Sequence, residues 1–137
     1  AYWETCEAVI RQLPANIRVH YHGAVPPPQV PEVMRNFQVF IMPSQSENFG
    51  HALFEALSAG KPVITTDTTP FKNLQEHKAG FTIPLSNIDI ALANTIGTFA
   101  EMDAAAFDQY VSGAVQYAQS RFDRNVVRHQ YKQLFQL

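Results

Sequence analysis

Two short apolar runs, Val39-Phe40-Ile41-Met42 and Pro62-Val63-Ile64-Thr65-Thr66, enclose a single helical pattern, and this arrangement restricts the fold more than any other feature of the chain. Both runs are apolar or β-branched and bounded by Pro or Gly, as buried strands of a parallel sheet are. The helix between them should begin near Phe49 or Gly50 and stop at Gly60, since glycine tolerates the left-handed conformation that closes a helix. The unit is therefore strand, loop, helix, strand. Its loop falls at the carboxyl end of the first strand, where open α/β sheets bind their ligands.

On the helix, Leu53, Phe54 and Leu57 share one stripe that can pack on the sheet, while His51, Ala52, Glu55, Ser58 and Ala59 form a small or polar face open to a ligand. Glu47 and Glu55 stand eight positions apart, about 12 Å if helical rise holds throughout, which matches the reach from a ribose across two phosphates to a sugar. Carboxylates at each end suit hydroxyl-bearing groups. Between them, the free N–H groups around Asn48, Phe49 and Gly50 and the positive end of the helix suit a diphosphate, and the missing side chain of Gly50 lets the backbone approach closely. With seven glutamates in the chain, that spacing alone says little, and glutamate near a helix start is also an ordinary stabilising placement. The surrounding strand–loop–helix unit is what gives it weight.

At 137 residues, 46% apolar and 16% charged, the chain has the composition of one globular domain with a real core. Ten basic against twelve acidic residues leave a net charge of −2 without a run of either sign, so no nucleic-acid footprint is expected. Cys6 is the sole cysteine, which excludes an internal disulfide and fits a reducing, cytoplasmic compartment. No run is long and apolar enough to span a bilayer. The chain has neither a starting Met nor a signal-peptide pattern and begins inside a helical pattern, which suggests an excised domain or a fragment.

In chain order, Tyr2 to Leu13 has a helical period in Trp3, Cys6, Val9, Ile10 and Leu13, ended by Pro14. Ile17, Val19 and Tyr21 alternate with Arg18 and His20, predicting a strand closed by Gly23. His20 and His22 would share one face of it, but no third ligand type stands near, and metal is not expected. Val25-Pro26-Pro27-Pro28 is a stiff connector, and Pro31 fits the first turn of a short helix through Val33 and Met34. After the central unit, Asp67-Thr68-Thr69-Pro70 is a turn facing the same cleft, followed by a short helix over Phe71 to His77 that Gly80 terminates. Phe81-Thr82-Ile83 is a brief edge strand stopped by Pro84. A capping box at Ser86-Asn87-Ile88-Asp89 opens a helix bearing Leu92, Ile96 and Phe99. Asp103 and Asp123 cap two more, one with Phe107, Tyr110, Val111 and Val115, the other with Val127, Tyr131, Leu134 and Phe135. This helical tail reads as packing material.

Pro43-Ser44, Glu47-Asn48-Phe49-Gly50, Glu55-Ala56-Leu57 and Gly60-Lys61-Pro62-Val63-Ile64 together resemble the donor-site motif of family-four retaining glycosyltransferases, and the likeness continues through Asp67-Thr68-Thr69-Pro70-Phe71-Lys72-Asn73-Leu74 to Ala79-Gly80-Phe81. The resemblance implies an α/β fold: a Rossmann-like parallel sheet with flanking helices, the C-terminal half of a GT-B fold whose active site lies in the cleft between two such domains. Residues 1–137 would be a single, partial nucleotide-sugar-binding domain with a helical C-terminal tail. The partners implied are a nucleoside diphosphate sugar, with UDP or GDP as carrier, and an N-terminal acceptor domain. The setting implied is polysaccharide biosynthesis in the cytoplasm, with peripheral membrane contact of the whole enzyme compatible with it. No cofactor or metal is implied, which agrees with the lack of an Asp-x-Asp motif.

By motif position, the resemblance makes Glu47 the catalytic-site residue that contacts hydroxyls of the donor sugar and Glu55 the ligand of the ribose hydroxyls. Backbone groups at Asn48, Phe49, Gly50 and His51 would hold sugar and diphosphate, and Gly23-Ala24-Val25 would lie against the base. The chain departs from the pattern in three ways. Residues 1–16 do not supply the strands and the Arg- and Lys-bearing loop with which the family's domain begins; these missing N-terminal strands would sit between the strand near Ile17–Tyr21 and that near Val39–Met42. His51 replaces what is often an aliphatic residue, where it could act as an acid toward a leaving oxygen or simply as a structural residue at the helix start. The segment Asp67 to Phe71 lacks the glycines of many members. The expectation is the donor half of a retaining sugar transferase, inactive by itself, the alternatives being a non-catalytic nucleotide-binding module or a nucleotide-sugar epimerase.

Overall fold

The computed structural model describes residues 1–121; the helix expected behind Asp123 lies outside them. Within them the chain forms two compact units, Ala1–Val30 and the residues from Pro31 onward.

In the first unit, α1 covers Tyr2–Ile10 and buries no residue. Glu4 in its first turn accepts a hydrogen bond from the N-terminal amine at 2.9 Å, and the Trp3 ring packs on Tyr21 with centroids 4.4 Å apart. The strand expected over Ile17 to Tyr21 does not form: residues 17–26 have no regular structure, and Ile17, Val19 and Tyr21 are exposed. Their alternation supplies an apolar face, but a strand also needs a ladder partner for its N–H and C=O groups. The three described strands pair only among themselves. Val25 to Pro28 runs into a 3-10 turn at Pro27–Gln29 and then into α2, Val30–Arg35.

The second unit is built on a three-stranded parallel sheet in the order β1, β2, β3. β1 is Phe40–Met42, β2 Val63–Thr66 and β3 Gly80–Ile83. β2 is central and all four of its residues are buried, which is why its sequence reads as an unbroken run. The crossover from β1 to β2 is α3, His51–Ser58. Its Leu53, Ala56 and Leu57 enter the core with Val63, Phe71, Leu74, Ala79, Ala114 and Ala118. Gly60, with φ +73°, ends the crossover in the left-handed conformation expected of it.

Between β2 and β3 the chain departs from expectation. Phe71 to His77 runs in turns, with Asn73 at φ +54° and Lys78 at φ +50°. Phe71 and Leu74 are both buried three positions apart, which mimics one face of a helix. Their backbone groups go elsewhere: the Phe71 carbonyl accepts from the Thr82 hydroxyl at 2.9 Å, and the Leu74 amide donates to that same hydroxyl at 3.5 Å. The Thr82 side chain of β3 thus satisfies groups that a helix would have paired internally. Gly80 is accordingly the first residue of β3 rather than a helix cap, at φ +138°.

After a 3-10 turn at Leu85–Asn87, α4 covers Ile88–Ala100 with no side-chain bond at its Asn87 cap, so the capping box is not made. Asp103 does cap the next helix, α5 (Ala104–Arg121), through Oδ1 at 2.7 Å from the Ala106 amide. Phe81, Phe99, Phe107 and Tyr110 form a ring cluster, with Phe99 edge-on to Phe81 at 5.4 Å and Tyr110 stacked on Phe81 at 5.8 Å. The aromatics of α4 and α5 thus serve as packing material, as expected of them, against Phe81 of β3.

Candidate functional site

The end of β1 and the start of α3 are joined by residues 43–50, and the last of these fixes the geometry. Gly50 adopts φ +75° and ψ 52°, and a Cβ placed on it would come within 2.8 Å of the Phe71 ring and 3.2 Å of Leu53. The loop is thereby pressed against the buried Phe71 as it enters the helix. No side chain caps α3, so the amides of its first turn have no partner within the helix and face the loop. Partial positive charge gathers there.

An open hollow of about 580 Å³ lies in front of this turn, lined by Met42 and the stretch from Ser46 to Ala52. It gathers Glu47, Asn48, Phe49, Gly50 and His51, five of the residues expected to bind a ligand. Glu47 is half-buried and its Oε1 accepts a hydrogen bond from the Ser44 hydroxyl at 3.2 Å. Asn48 and His51 are exposed, and the His51 ring lies 4.3 Å from that of Phe49. Glu55 is exposed one turn further along α3 and outside the lining of the hollow. Because residues 47–50 are not helical, helical rise applies only from His51 to Glu55, about 6 Å. Gly23, Ala24 and Val25 lie in the first unit without regular structure, Gly23 at φ +67°.

The turn after β2 meets the same loop, as expected. Thr68 Oγ1 donates to the Ser44 carbonyl at 3.0 Å, Thr66 Oγ1 donates to that same carbonyl, and the two threonine hydroxyls are 2.8 Å apart. Asp67 is held at both ends, its carboxylate accepting from the Leu85 amide at 3.1 Å and its carbonyl from Lys72 Nζ. Sequence reasoning passed over Ser44, Thr66 and Thr68 as site-supporting residues. The signal for them is the parallel register: with Met42 opposite Thr65, positions 44 and 66 to 68 must adjoin just beyond the strand ends.

The hollow is lined by acceptor and aromatic side chains and by backbone amides, with no Lys or Arg among its described residues. Such a surface can hold sugar hydroxyls on a carboxylate and an anion on amides. Among the described residues, no three of His, Cys, Asp and Glu are grouped to hold a metal ion, and no helix is long and apolar enough to cross a membrane.

A three-stranded parallel sheet flanked by helices, with a hollow at the carboxyl end of a strand and a helix start behind it, is the architecture of a Rossmann-like half of a GT-B fold. Residues 2–110 match the family of glycosyl transferases group 1. The chain belongs to that family. It is 30% identical over 105 residues to a phosphatidyl-myo-inositol mannosyltransferase of Mycobacterium leprae (strain TN), an alignment covering 75% of this chain and 27% of that protein. It is also 27% identical over 142 aligned positions to the putative colanic acid biosynthesis glycosyltransferase WcaL of Escherichia coli (strain K12), covering 98% of this chain and 35% of that one. The chain thus spans between a quarter and about a third of the length of these curated relatives.

Proposed function

We propose that this chain is the donor-binding part of a glycosyltransferase that moves a sugar from a nucleoside diphosphate sugar to an acceptor with retention of configuration. The observation that carries the reading is the loop into α3: a half-buried Glu47, a left-handed Gly50 pressed on Phe71, and an uncapped helix start share one hollow. Glu47 binds hydroxyls of the transferred sugar. The amides from Asn48 to His51 hold the diphosphate, which departs from the face the acceptor approaches. Glu55 takes the ribose hydroxyls. The names of the two relatives, a mannosyltransferase and a glycosyltransferase of colanic acid biosynthesis, support sugar transfer as the activity; the acceptor is assigned to a separate domain. The reaction as assigned here uses no metal.

Separable losses are expected from the two glutamates. A carboxylate holding a ribose diol makes two charge-assisted hydrogen bonds, each worth at most about 1.5–3 kcal/mol and less after desolvation. Glu55→Ala should therefore weaken UDP or GDP and the corresponding sugar nucleotides alike, by roughly tenfold to a hundredfold, and Glu55→Gln should retain part of the affinity. Glu47→Ala should weaken UDP-glucose or GDP-mannose while leaving the free diphosphate nearly unchanged. Titration calorimetry with these four ligands decides the matter: equal losses for diphosphate and sugar nucleotide in both variants remove the assigned roles. Undiminished binding of a 2′,3′-dideoxy nucleotide removes the ribose from Glu55. Full binding without turnover in the longest protein containing this chain favours a non-catalytic nucleotide-binding module.

A further inference from the structure

The hydroxyls at and just beyond the end of β2 converge on Ser44, whose own hydroxyl bonds to a carboxylate. Thr66 and Thr68 both donate to the Ser44 carbonyl, and the Ser44 hydroxyl donates to Glu47 Oε1. Thr66 is fully buried, Ser44 half-buried and Thr68 exposed, so these contacts run outward from the sheet to the rim of the hollow. We propose that Ser44, Thr66 and Thr68 are positioning residues that hold the Glu47 carboxylate in place for the sugar of the donor. The inference rests on the donor-site reading of Glu47 given above.

The physical argument begins with the freedom of a glutamate side chain. A glutamate on a loop samples many rotamers and gives up that freedom when it binds a ligand. Ser44 offers a donor on an anchored backbone, because its carbonyl accepts from the Thr66 hydroxyl at the end of β2 and from the Thr68 hydroxyl in the turn that follows. One carboxylate oxygen is occupied by the Ser44 hydroxyl at 3.2 Å; the other is left to accept from sugar hydroxyls. Thr65 provides the contrast. Its hydroxyl donates to the Met42 carbonyl at 3.0 Å within the strand pair and lies 3.4 Å from that of Thr69, so it stitches the sheet without reaching Glu47.

The test compares Ser44→Ala, Ser44→Thr, a Thr66→Val/Thr68→Val double variant and Thr65→Val by calorimetry with UDP-glucose and GDP-mannose, each against its free diphosphate. Ser44→Ala and the double variant should weaken the sugar nucleotide by roughly fivefold to tenfold, the effect of losing one hydrogen bond of ordinary net strength while the Glu47 carboxylate itself remains, with the free diphosphate changed less than twofold. Ser44→Thr, which keeps the hydroxyl, should restore binding. Thr65→Val should lower the unfolding midpoint and leave the ratio of the two affinities unaltered. Parallel losses for sugar nucleotide and diphosphate in Ser44→Ala, or failure of Ser44→Thr to rescue, overturn the proposal. In a Glu47→Ala background the Ser44→Ala effect should vanish; if it persists, Ser44 acts other than through Glu47. If Glu47→Ala alone spares the sugar nucleotide, or if no probe binds the unsubstituted chain, the donor-site reading fails. The network is then judged by amide hydrogen exchange of residues 44–50. That exchange should quicken at least roughly tenfold in the double variant, with the amides of Leu53 to Leu57 unchanged; unchanged exchange in the loop overturns the proposal independently of any ligand.

Discussion

Alanine at position 80 is expected to destabilise the second unit by about 2–6 kcal/mol. Two costs add. Gly80 sits at φ +138°, a conformation that L side chains rarely adopt, and holding a residue with a Cβ there costs about 1–3 kcal/mol. The added Cβ would also lie within 2.6 Å of the Val63 nitrogen and 2.7 Å of its carbonyl carbon. Val63 is the residue paired with Gly80 in the β2–β3 register and is fully buried, so neither strand can yield without disturbing the core; overpacking of this kind typically costs another 1–3 kcal/mol or so. Against a total stability of about 5–15 kcal/mol for a domain, that loss is large. With a urea dependence of roughly 2 kcal/mol per M, a loss of about 4 kcal/mol moves the unfolding midpoint by about 2 M. Gly97, in the interior of α4, is the control: nothing lies within 4 Å of a Cβ placed there, and Gly97→Ala should stabilise the protein by up to about 1 kcal/mol. A midpoint for Gly80→Ala matching that of the unsubstituted chain would show that β2 and β3 do not approach as closely as described.

The same contrast explains what the sequence discloses and what it conceals. β1, α3 and β2 are legible because their backbone partners lie within one local unit, α3 bonding within itself and β1 pairing with β2, and each displays the matching period: Leu53 and Leu57 one turn apart on the core face, Val63 to Thr66 buried without interruption. The loop before α3 is legible for the same reason, since it must fall at a strand end. Ile17 to Tyr21 has the period of a strand but not the partner, and alternation says nothing about who pairs with whom. Phe71 to His77 has a helical spacing of buried residues, yet Thr82, eleven positions on, takes the Phe71 carbonyl; a hydrogen bond to a side chain that distant leaves no trace in a local window. Ser44, Thr66 and Thr68 are concealed by the same kind of long-range pairing, because serine and threonine near strand ends look like ordinary turn residues until the register brings them together. The 12 Å or so between Glu47 and Glu55 requires helical rise throughout, a condition that Gly50 breaks by turning the chain just before the helix.

Sugar transfer to an added acceptor is expected to be absent with these 137 residues alone. In the proposed reaction the diphosphate leaves and the acceptor oxygen arrives at one anomeric carbon, so catalysis depends on holding donor and acceptor together in near-attack geometry. That arrangement can account for roughly 7–11 kcal/mol of barrier lowering, a rate factor on the order of 10⁵ to 10⁸. The residues expected to bind a ligand gather in the hollow at the donor loop, while this chain covers only 27% and 35% of the two similar glycosyltransferases; the acceptor half is assigned to that further length. A second term acts in the same direction. The departing diphosphate gains negative charge, and preorganised donors aimed at such charge are typically worth about 3–4 kcal/mol, yet no Lys or Arg lines the hollow among the described residues and the helix start supplies only partial charge. Binding without turnover is the consequence. Release of UDP from UDP-glucose and of GDP from GDP-mannose should be followed with this chain and with the longest protein that contains it, at equal concentration and with a panel of lipid and saccharide acceptors. Transfer by the 137-residue chain within about tenfold of the longer protein's rate, a difference of only about 1.4 kcal/mol, would place the acceptor site within this chain and end the half-site proposal.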